Sequence, residues 1–551
     1  MRRALVVVCV LAFFLAAGFY LEKSEFSSPL KHASRTRTIP QEKLKLRSVY
    51  IFKELGLLKA VADRGSKPAM SESSKPNAER TAVFSFSVNR GGEWRLPSSM
   101  AVDKSALKPG WPAVSVFTEE ENLYGTERGI ITHPLGKGRK WERFCYVSYF
   151  EGEELLFAAS AGLRIHGGTS RSSSRPQSFR LYFRNEYGYN QIKPGLLFGL
   201  ETEPLKRLVV HFDHPQRFPF TSCMAFAIAR QIGGMAPETK PALFFLNGEP
   251  KGIYWLSEHQ GRRQWTAHFG HKNFLFFVYR GDPDEDSLEE YRKLRSVTGG
   301  FDGTLTWDLA NQYVDLDNLS RFIFSIVFCS TRDWNQGIAV RDQNDPNNRW
   351  FWVNWDMDKS FIYRNEEAEV GEIKAFELID ESTNELNIRA LLFNRLMEES
   401  PEYRNFFVTL VMNVLNHRLT HDFLEQMVDH YRKLAISYGD DHAEWFQYLK
   451  KFFQLRSDFI RRQMNQYYQA GTSYRCTVKI PNGSRIKIDG FLHEKDFQGW
   501  YFEGSEIEVE IVAPKKAESY YWLVDGEKIK DLKLKYPIRS ETHIEALFES
   551  D

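Results

Sequence analysis

The stretch from Arg349 to Asp358, which reads RWFWVNWDMD, constrains the fold of this chain most strongly. Its aromatic and β-branched run from Trp350 to Trp355 favours a buried strand. The stretch ends in two carboxylates, Asp356 and Asp358. If the chain stays extended there, both side chains point to the same side, because residues two apart in a strand share a face. Such a strand end suits a hard divalent cation, although an acidic turn after a strand would have the same sequence.

The size and composition of the chain allow a large core with a substantial β component. A chain of 551 residues is typical of about two to four domains, and aromatic residues make up 15% of it. The formal net charge is +1 and no arm of the chain is strongly basic, so we expect no nucleic-acid partner. The 5 cysteines include no Cys-x-x-Cys pair, which argues against a zinc site.

The first residues predict export. Arg2 and Arg3 precede an apolar run over residues 4–21, and positive charge before such a run directs the rest of the chain across the membrane. As a helix this run would span about 27 Å, close to the bilayer core of about 30 Å, so residues 1–21 fit a signal anchor or a cleaved signal peptide. We therefore expect a secreted or membrane-anchored protein of the cell envelope, which contacts the membrane only through the apolar run if that run is not cleaved. Residues 22–80 are rich in Lys, Arg, Ser and Glu and are expected to form a linker.

Residues 81–470 are expected to form one α+β domain. Alternating apolar and polar residues up to about Leu163 predict an antiparallel β region. Farther on, the pair Asn247-Gly248 between two apolar runs predicts a β-hairpin. The amphipathic pattern from Thr221 to Ile232 ends at a glycine pair and predicts a helix.

In the last third of the chain the spacing of apolar residues changes from a helical period to a period of two. The pattern over residues 378–468 is helical, with few Gly and Pro residues, and predicts a helical subdomain that packs on the core. From residue 473 to residue 551 the period returns to two and glycines mark the turns. We expect this part to be a separate, small C-terminal all-β module.

A buried helix leads to a third carboxylate. Asp317 is a favourable N-cap residue for the strongly apolar helix predicted over residues 318–329. The loop after this helix contains Asp333 and, next to it, Trp334, whose ring is suited to anchoring the loop. Asp333 is therefore expected in a loop that directly follows a buried helix.

A small polar loop separates two strand patterns within residues 163–183. It contains Gly167-Gly168-Thr169-Ser170 and then an unbroken Ser/Arg run over residues 171–175. Backbone N–H groups, hydroxyls and guanidiniums are good donors to phosphate, although neither a Walker loop nor a Gly-x-Gly-x-x-Gly motif is present. The same composition is typical of a solvated hairpin loop. With the three carboxylates, however, the loop completes the set that phosphoryl transfer requires: donors to phosphate, acids for magnesium and an acid for the attacking hydroxyl.

These motifs, in this order, resemble the CotH kinase-like proteins, a family named for a bacterial spore-coat protein. The matching pieces are GLRIHGGTSR at residues 162–171, SFRLY at 178–182, FLNGEPKGIY at 245–254 with Glu258, RDW at 332–334 and WDMD at 355–358. No single piece is specific, but the ordered set is, and it covers about residues 111–468. The resemblance implies an atypical protein-kinase-like fold that binds ATP with Mg²⁺ or Mn²⁺ and phosphorylates Ser or Thr of a protein substrate.

The resemblance also implies roles for individual residues. Asp333 resembles the catalytic acid of the family, Asp356 resembles its metal-binding acid, and Asp358 is implied as a second or supporting metal ligand. Nucleotide contacts are implied for residues of the loop, its flanking strands and the hairpin, namely Arg164, Gly168, Thr169, Ser170, Arg171, Arg180 and Glu258.

Two departures from the family pattern bear on catalysis. Relatives usually carry a lysine just before the Ser-Phe-Arg segment, whereas residues 162–192 of this chain contain none. If that lysine contacts phosphate, Arg171, Arg175 or Arg180 must substitute for it, and an arginine is not geometrically equivalent to a lysine. Thr331 stands where relatives often have an amide side chain, which would be the better metal ligand.

Two main hypotheses about function follow. The first is an exported, atypical protein kinase. The second is a catalytically weak or inactive kinase-like protein that binds partners at the cell surface or in the envelope. Export separates the domain from cytoplasmic ATP and favours the second, whereas the three acids at these spacings favour the first. A metal-dependent hydrolase with the same core is a third, less favoured alternative.

Overall fold

The computed structural model describes residues 87–88, 94–95, 107–168, 171, 176–188, 191–199, 204–213, 218–278, 285–298, 303–332, 334, 337–361, 375–380, 387–439, 441–513 and 519–549. The signal segment and linker predicted over residues 1–80 lie outside these residues. Among the described residues, no helix is both long enough and apolar enough to cross a bilayer. The chain divides into two compact units, and the described part of the first is one antiparallel pair, β1 (Ser87–Val88) and β2 (Trp94–Arg95). All elements below belong to the second unit.

Seven strands of the second unit close into a barrel. They are β3 (Pro112–Phe117), β4 (Arg143–Glu151), β5 (Glu154–His166), β6 (Ser178–Tyr182), β7 (Arg207–His211), β8 (Thr239–Leu246) and β9 (Glu249–Glu258). Their order around the barrel is β3-β4-β5-β6-β7-β9-β8, and the parallel pair of β3 with β8 closes it while all other pairs are antiparallel. Alternate residues of each strand, such as Leu163, Leu181 and Leu208, fill the interior. The predicted antiparallel region is confirmed, but it extends well beyond Leu163.

The hairpin between β8 and β9 is confirmed at the predicted position. Asn247 and Gly248 have φ angles of 52° and 84°, which a two-residue turn of type I′ requires at both positions. The Asn247 side chain accepts a hydrogen bond from the backbone N–H of Thr118 at 2.9 Å. This bond ties the turn to the neighbouring strand.

Three helices connect barrel strands: α1 (Glu120–Tyr124), α2 (Gly195–Phe198) and α3 (Thr221–Ile232). The predicted helix at Thr221–Ile232 is confirmed, and it ends at Gly233 in the left-handed conformation, with φ at 91°. A side chain at this position would be strained, so the glycine sets the helix end.

A three-stranded sheet and four helices follow the barrel. They are α4 (Arg262–Phe269), β10 (Phe274–Val278), α5 (Glu285–Thr298), α6 (Trp307–Asn311), α7 (Leu316–Cys329), β11 (Ile338–Asp342) and β12 (Trp350–Val353). The sheet is antiparallel in the order β10-β11-β12. Strand β12 ends at Val353, two residues earlier than predicted. The backbone N–H and the side-chain amide of Asn354 both donate to the carbonyl of Met235, at 2.8 and 3.2 Å, and this contact turns the chain out of the sheet.

The apolar helix α7 is the central support of the sheet. Its N-cap is Asp315, which accepts from the N–H of Asn318 at 2.9 Å, so the predicted cap at Asp317 is wrong. Asp317 lies in the first turn instead and pairs with Arg321. The buried amide of Asn318 donates to the carbonyl of Trp352 at 3.0 Å and accepts from its N–H at 2.7 Å. This two-way bond fastens β12 to the helix.

Helices follow one another from residue 377 to residue 468, where the sequence predicts a helical subdomain. They are α8 (Glu377–Asp380), α9 (Ile388–Glu399), α10 (Pro401–Asn413), a π-helical turn (Val414–Arg418), α11 (His421–Tyr438) and α12 (Ala443–Tyr468). Ser400 caps α10 before a proline at its first position, and Thr420 caps α11. From α12, the buried Arg456 donates to the last carbonyls of α7, including that of Phe328 at 3.0 Å. A cation at a helix C-terminus stabilises it, so α12 holds the end of α7.

Strands are the regular elements of the described residues from Ser473 onward. With the barrel, the three-stranded sheet and the helices, they make the described chain mixed α+β. The strands are β13 (Ser473–Lys479), β14 (Arg485–Ile488), β15 (Phe491–His493), β16 (Phe497–Phe502), β17 (Glu506–Ala513), β18 (Ser519–Val524), β19 (Glu527–Ile529), β20 (Lys533–Pro537) and β21 (Thr542–Glu549). They form two sheets, β16-β13-β21-β18-β19 and β15-β14-β17-β20, with a hydrophobic core of their own.

This C-terminal module docks on the π-helical turn. Asn416 donates to the carbonyl of Trp500 at 2.9 Å and accepts from its N–H at 3.0 Å. The buried ring of His417 stacks between Phe491 and Phe497, at centroid distances of 4.6 and 4.9 Å. The joint between subdomain and module is therefore built from specific polar and aromatic contacts.

Candidate functional site

Two loops that carry the predicted acids are joined to each other. The N–H of Arg332 donates to the carbonyl of Lys359 at 3.1 Å, and the hydroxyls of Thr331 and Ser360 lie 2.7 Å apart. Asp333 itself lies outside the described residues. Its neighbour Arg332 is nonetheless held against the segment that contains Asp356 and Asp358.

Trp334 anchors the loop after α7, as its sequence position predicts. Its side chain is buried, and its indole N–H donates to the carbonyl of Leu378 at 3.3 Å. The guanidinium of Arg389 lies 5.4 Å from the ring centroid. Anchoring residues therefore flank Asp333 on both sides.

Asp356 does not continue the strand. Its φ angle is 58°, which places it in the left-handed region, and the buried Met357 follows it. The extended geometry that would point Asp356 and Asp358 to one side is therefore wrong, because the chain turns at the first of them. Both side chains are half-buried beside the loop that contains Asp333.

A further carboxylate, which the sequence reading did not identify, lies near Asp358. Asp213 is buried just before α3 and accepts from the Ser222 hydroxyl at 2.7 Å and from the Trp255 indole at 2.8 Å. Burial raises its pKa to about 7; the Ser222 hydrogen bond opposes this rise, and the negative charge of Asp358 adds to it. An acid shortly before a helix reads as an ordinary capping residue, so the sequence offers little signal for its proximity to Asp358.

The oxygen ligands at this place fit a hard divalent cation, but the described residues do not form a complete cage. Among them, no group of three or more His, Cys, Asp or Glu side chains is arranged to hold a metal ion. Magnesium commonly uses one or two carboxylates and completes its shell with water and phosphate oxygens. Asp356 and Asp358 are chemically suited to that role.

Four arginines surround the ring of Tyr182 on the outer face of the barrel. The guanidinium carbons of Arg164, Arg180, Arg184 and Arg207 lie 4.8, 6.0, 5.0 and 5.1 Å from the ring centroid. Strand register explains the convergence, because Arg164 pairs with Arg180 and Tyr182 pairs with Arg207 across neighbouring strands. We call these four residues the arginine cluster.

The arginine cluster contains more cations than nearby acids. Glu142 accepts two hydrogen bonds from Arg184, at 2.7 and 2.8 Å, and lies 3.9 Å from Arg164. Within the described part of the chain, Arg180 and Arg207 have no carboxylate partner. A buried charge without a counterion is costly, so the barrel stores electrostatic strain at this point.

The side chains that accept hydrogen bonds from Arg180 are uncharged. Its Nη2 donates to Nδ1 of His166 at 2.6 Å and its Nη1 donates to the Tyr182 hydroxyl at 3.3 Å. Its buried Nε has no acceptor among the described residues. Burial lowers the pKa of Arg180 to about 10, and the nearby charge of Arg207 adds to this effect. Burial also lowers the pKa of His166 well below its usual value, so its ring stays neutral and accepts the bond.

Trp355 brings the arginine cluster and the acids together. Its ring centroid lies 6.3 Å from that of His166 and 6.4 Å from that of His259. Because Asp356 follows Trp355 directly, the basic outer face of the barrel adjoins the acidic end of β12. We call the region between these cations and the carboxylates the cleft.

The family model described as CotH kinase protein matches residues 163–301 and 302–471, which is more than half of the chain. The chain belongs to the CotH kinase protein family. No curated protein matches its sequence. The crystal structure of a Helicobacter pylori proinflammatory kinase, CtkA, aligns with 54% of this chain and 94% of that chain, at 10% sequence identity and a TM-score of 0.28. A superposition this loose carries no argument about the site.

In this CotH kinase protein, Arg171 has a structural role. Its guanidinium donates to the carbonyls of Gly167, Pro134, Gly136 and Ile165, at 2.5 to 3.1 Å. Since these bonds use its donors, we leave Arg171 out of the nucleotide contacts that the resemblance implies. A Cβ at Gly168 would meet no atom of the described residues within 4 Å, and Thr169 and Ser170 lie outside the described residues, so the nucleotide contacts of these three residues stay predictions.

Glu258 lies apart from the arginine cluster. Glu258 is the last residue of β9 and lies on the same face of the strand as Leu256, whose side chain points into the barrel. The next residue, His259, contacts Trp355 on the other side. Glu258 lines a cavity of about 440 Å³ together with Met235 and Trp265. Burial raises its pKa to about 6, against the opposing hydrogen bond from the side-chain amide that follows two residues later. The contact of Glu258 with a nucleotide stays a prediction.

Proposed function

We propose that this CotH kinase protein is an exported protein kinase that transfers phosphate from ATP to Ser or Thr residues of a protein substrate. The observation that carries the proposal is the packing of Trp355 between the arginine cluster and the acids. Membership of the family supports the kinase class. The acceptor residues, the use of a metal and the export are our proposal.

The two walls of the cleft fit the two ends of a nucleotide triphosphate. Arg164 and Arg180 on the barrel wall would bind phosphate oxygens, for which guanidiniums have matching geometry. Asp356 and Asp358 on the opposite wall would hold Mg²⁺ or Mn²⁺, which when bound neutralises charge on the phosphates. The cleft thus offers complementary groups for ATP and its metal in one place.

The remaining role is orientation of the acceptor hydroxyl. We assign it to Asp333, because its loop is fastened to the acidic segment by Arg332 and anchored by Trp334. A carboxylate at this point would accept the proton of the Ser or Thr hydroxyl as the oxygen attacks phosphorus. The leaving group is ADP.

Phosphate transfer itself tests the proposal. The full chain would be incubated with γ-labelled ATP, Mg²⁺ or Mn²⁺ and a Ser-rich protein acceptor. We expect label on the acceptor, and its loss in Asp333→Asn. Asp317→Asn is a matched control, because the Asp317 side chain is exposed in the first turn of α7 and its ion pair among the described residues is with Arg321 of the same helix. Equal labelling by Asp333→Asn and the control would contradict the assignment of Asp333.

The absence of a lysine from residues 162–192 supports a second candidate, a binding protein that holds ATP without transferring its phosphate. Measuring ATP binding and phosphate transfer side by side distinguishes the two candidates. A thermal shift with ATP and metal, without any label on acceptors or on the chain itself, would favour the binding protein. If ATP with metal causes no thermal shift and no phosphate is transferred, both candidates are excluded.

Export rests on the basic start and on the apolar run over residues 4–21. We propose that the rest of the chain lies outside the cytoplasm, anchored by this run or released after cleavage. In intact cells, a tag fused after Asp551 should be digested by added protease. A tag that resists digestion until the cells are lysed would contradict export.

A further inference from the structure

No sequence motif identified Arg184 or Arg207 of the arginine cluster, and of these two Arg184 is engaged by Glu142. Arg207 opens β7, and its guanidinium carbon lies 5.1 Å from the centre of the Tyr182 ring. Its Nη1 lies 3.4 Å from Nδ1 of His259, and its buried Nε has no acceptor among the described residues. Arg207 therefore faces the cleft with donors that the described fold does not use.

Other buried arginines of this protein show what a purely structural role looks like. Arg143 donates to the carbonyls of Arg128 and Lys140, at 2.6 to 2.8 Å. Arg171 and Arg456 likewise direct their donors at backbone carbonyls. Arg207 has no such acceptor within the described residues. A burial cost that the fold does not offset indicates a role in binding.

The positive charges around Arg207 favour the binding of an anion with several negative charges. Arg164 and Arg180 repel Arg207, and Arg263 adds a further positive charge. Among the described residues, the carboxylates paired with the arginine cluster are Glu142 and Glu186, and both lie against Arg184. A single carboxylate ligand would leave most of this positive charge uncompensated, whereas a chain of phosphates carries several negative charges and many acceptor oxygens.

We propose that Arg207, with Arg164 and Arg180, forms a polyphosphate-binding site, and that Arg207 supplies the phosphate contact that the chain lacks in the form of a lysine. The part of this inference that concerns ATP rests on the proposed function. The part that concerns inorganic polyphosphate does not. Inorganic tripolyphosphate and the phosphates of ATP share the chemistry that is recognised, so the two are separate arms of the test.

Binding of tripolyphosphate to the full chain, without metal, tests the site directly. We expect calorimetry to detect binding to the wild type, and Arg207→Met to weaken it about tenfold or more, since hydrogen bonds to charged groups contribute about 1.5–3 kcal/mol. Arg207→Lys keeps the charge and should recover part of the affinity. ATP with Mg²⁺ should show the same order of affinities in the second arm.

Arg139→Met is the matched control. Arg139 is largely exposed and pairs with Glu186, which also lies 4.0 Å from Arg184. Its loss removes one positive charge and leaves the four guanidiniums around Tyr182 in place. An equal loss of tripolyphosphate binding in Arg139→Met and Arg207→Met would reduce the effect to net charge and overturn the proposal. Unchanged binding in a folded Arg207→Met variant would overturn it as well.

A measurement on the wild type covers the case in which Arg207 variants fail to fold. Phenylglyoxal modifies accessible arginines, and mass spectrometry of peptides locates the adducts. We expect tripolyphosphate to protect Arg207 while Arg139 stays reactive. Equal modification of Arg207 with and without tripolyphosphate would contradict the site. Binding without phosphate transfer would overturn the kinase but leave the polyphosphate site in place.

Discussion

The indole ring of Trp355 lies 6.3 Å from the imidazole of His166, which in turn accepts a hydrogen bond from Arg180. Through this contact the end of β12 meets the outer face of the barrel. The acids that follow Trp355 and the arginine cluster are neighbours because one aromatic side chain packs between two parts of the chain almost 190 residues apart.

Shortening Trp355 should weaken nucleotide binding. Aromatic pairs contribute about 0.5–1.5 kcal/mol beyond their buried area, so we expect Trp355→Ala to raise the dissociation constant of ATP with Mg²⁺ about 2–10-fold. Trp355→Phe keeps an aromatic face and should bind nearly as the wild type does. Calorimetry on both variants checks this, and equal affinities of Trp355→Ala and the wild type would contradict the role of the contact.

Removing the amide of Asn318 should destabilise the fold. Its side chain makes two hydrogen bonds to the backbone of Trp352 and is buried. Asn318→Ala leaves a buried N–H and a buried carbonyl without partners, at a cost of about 1–3 kcal/mol each. The midpoint of thermal unfolding should fall by several degrees. Asn347→Ala, in an exposed turn, should leave it unchanged, and a similar shift in both variants would refute the two-way bond as its cause.

The buried carboxyl of Glu258 should make stability depend on pH. Its pKa is raised by burial from 4.5 to about 6, so the folded protein binds this proton more tightly than the unfolded chain. The resulting stabilisation is complete below about pH 4.5 and is lost as the pH rises through 6. We expect Glu258→Gln to remove this part of the decline and to be more stable than the wild type at pH 7.5 by on the order of 1–2 kcal/mol.

Urea unfolding at several pH values would measure this effect. Glu249→Gln is the control, because Glu249 begins the same strand but is exposed and pairs with Lys251. Between pH 4.5 and 7 its unfolding free energy should follow the wild-type pH profile, because the Lys251 hydrogen bond lowers the pKa of Glu249 and its titration falls below this range. A Glu258→Gln profile that also follows the wild type between pH 4.5 and 7 would show that the carboxyl titrates normally.

Cutting the amide contact of Asn416 should loosen the C-terminal module. Asn416→Ala removes both bonds to the Trp500 backbone. We expect faster proteolysis of the connection between Tyr468 and Ser473, since local opening exposes it more often. Asn482→Ala, in an exposed turn of the module, is the control. Equal cleavage rates of the two variants would mean that the stacking around His417 holds the joint alone.

Elements with local signals could be predicted from the sequence. The hairpin at Asn247-Gly248 follows from residues that accept positive φ angles, and the helix Thr221–Ile232 from its pattern and terminal glycine. The ordered motifs of the family were sufficient to indicate the kinase class, and the family model confirms the membership.

Features set by distant contacts could not be predicted. The early end of β12 depends on the bond of Asn354 to Met235, more than 100 residues away in sequence. The arginine cluster depends on barrel register, so Arg207 gave no signal of its own. Arg171 looked like a phosphate donor because sequence does not reveal the four carbonyls that surround it.

Helix α7 has a consequence for how the cleft can move. It carries the loop of Asp333 at its C-terminus, and it holds β12, which leads into Asp356, through Asn318. One helix thus supports both acid-bearing segments, while the arginine cluster belongs to the barrel. Under the proposed function, a shift of α7 relative to the barrel would change the distance from the guanidiniums to the carboxylates more than the spacing among the carboxylates. Such a shift would alter the binding of phosphate and leave the binding of a metal unchanged.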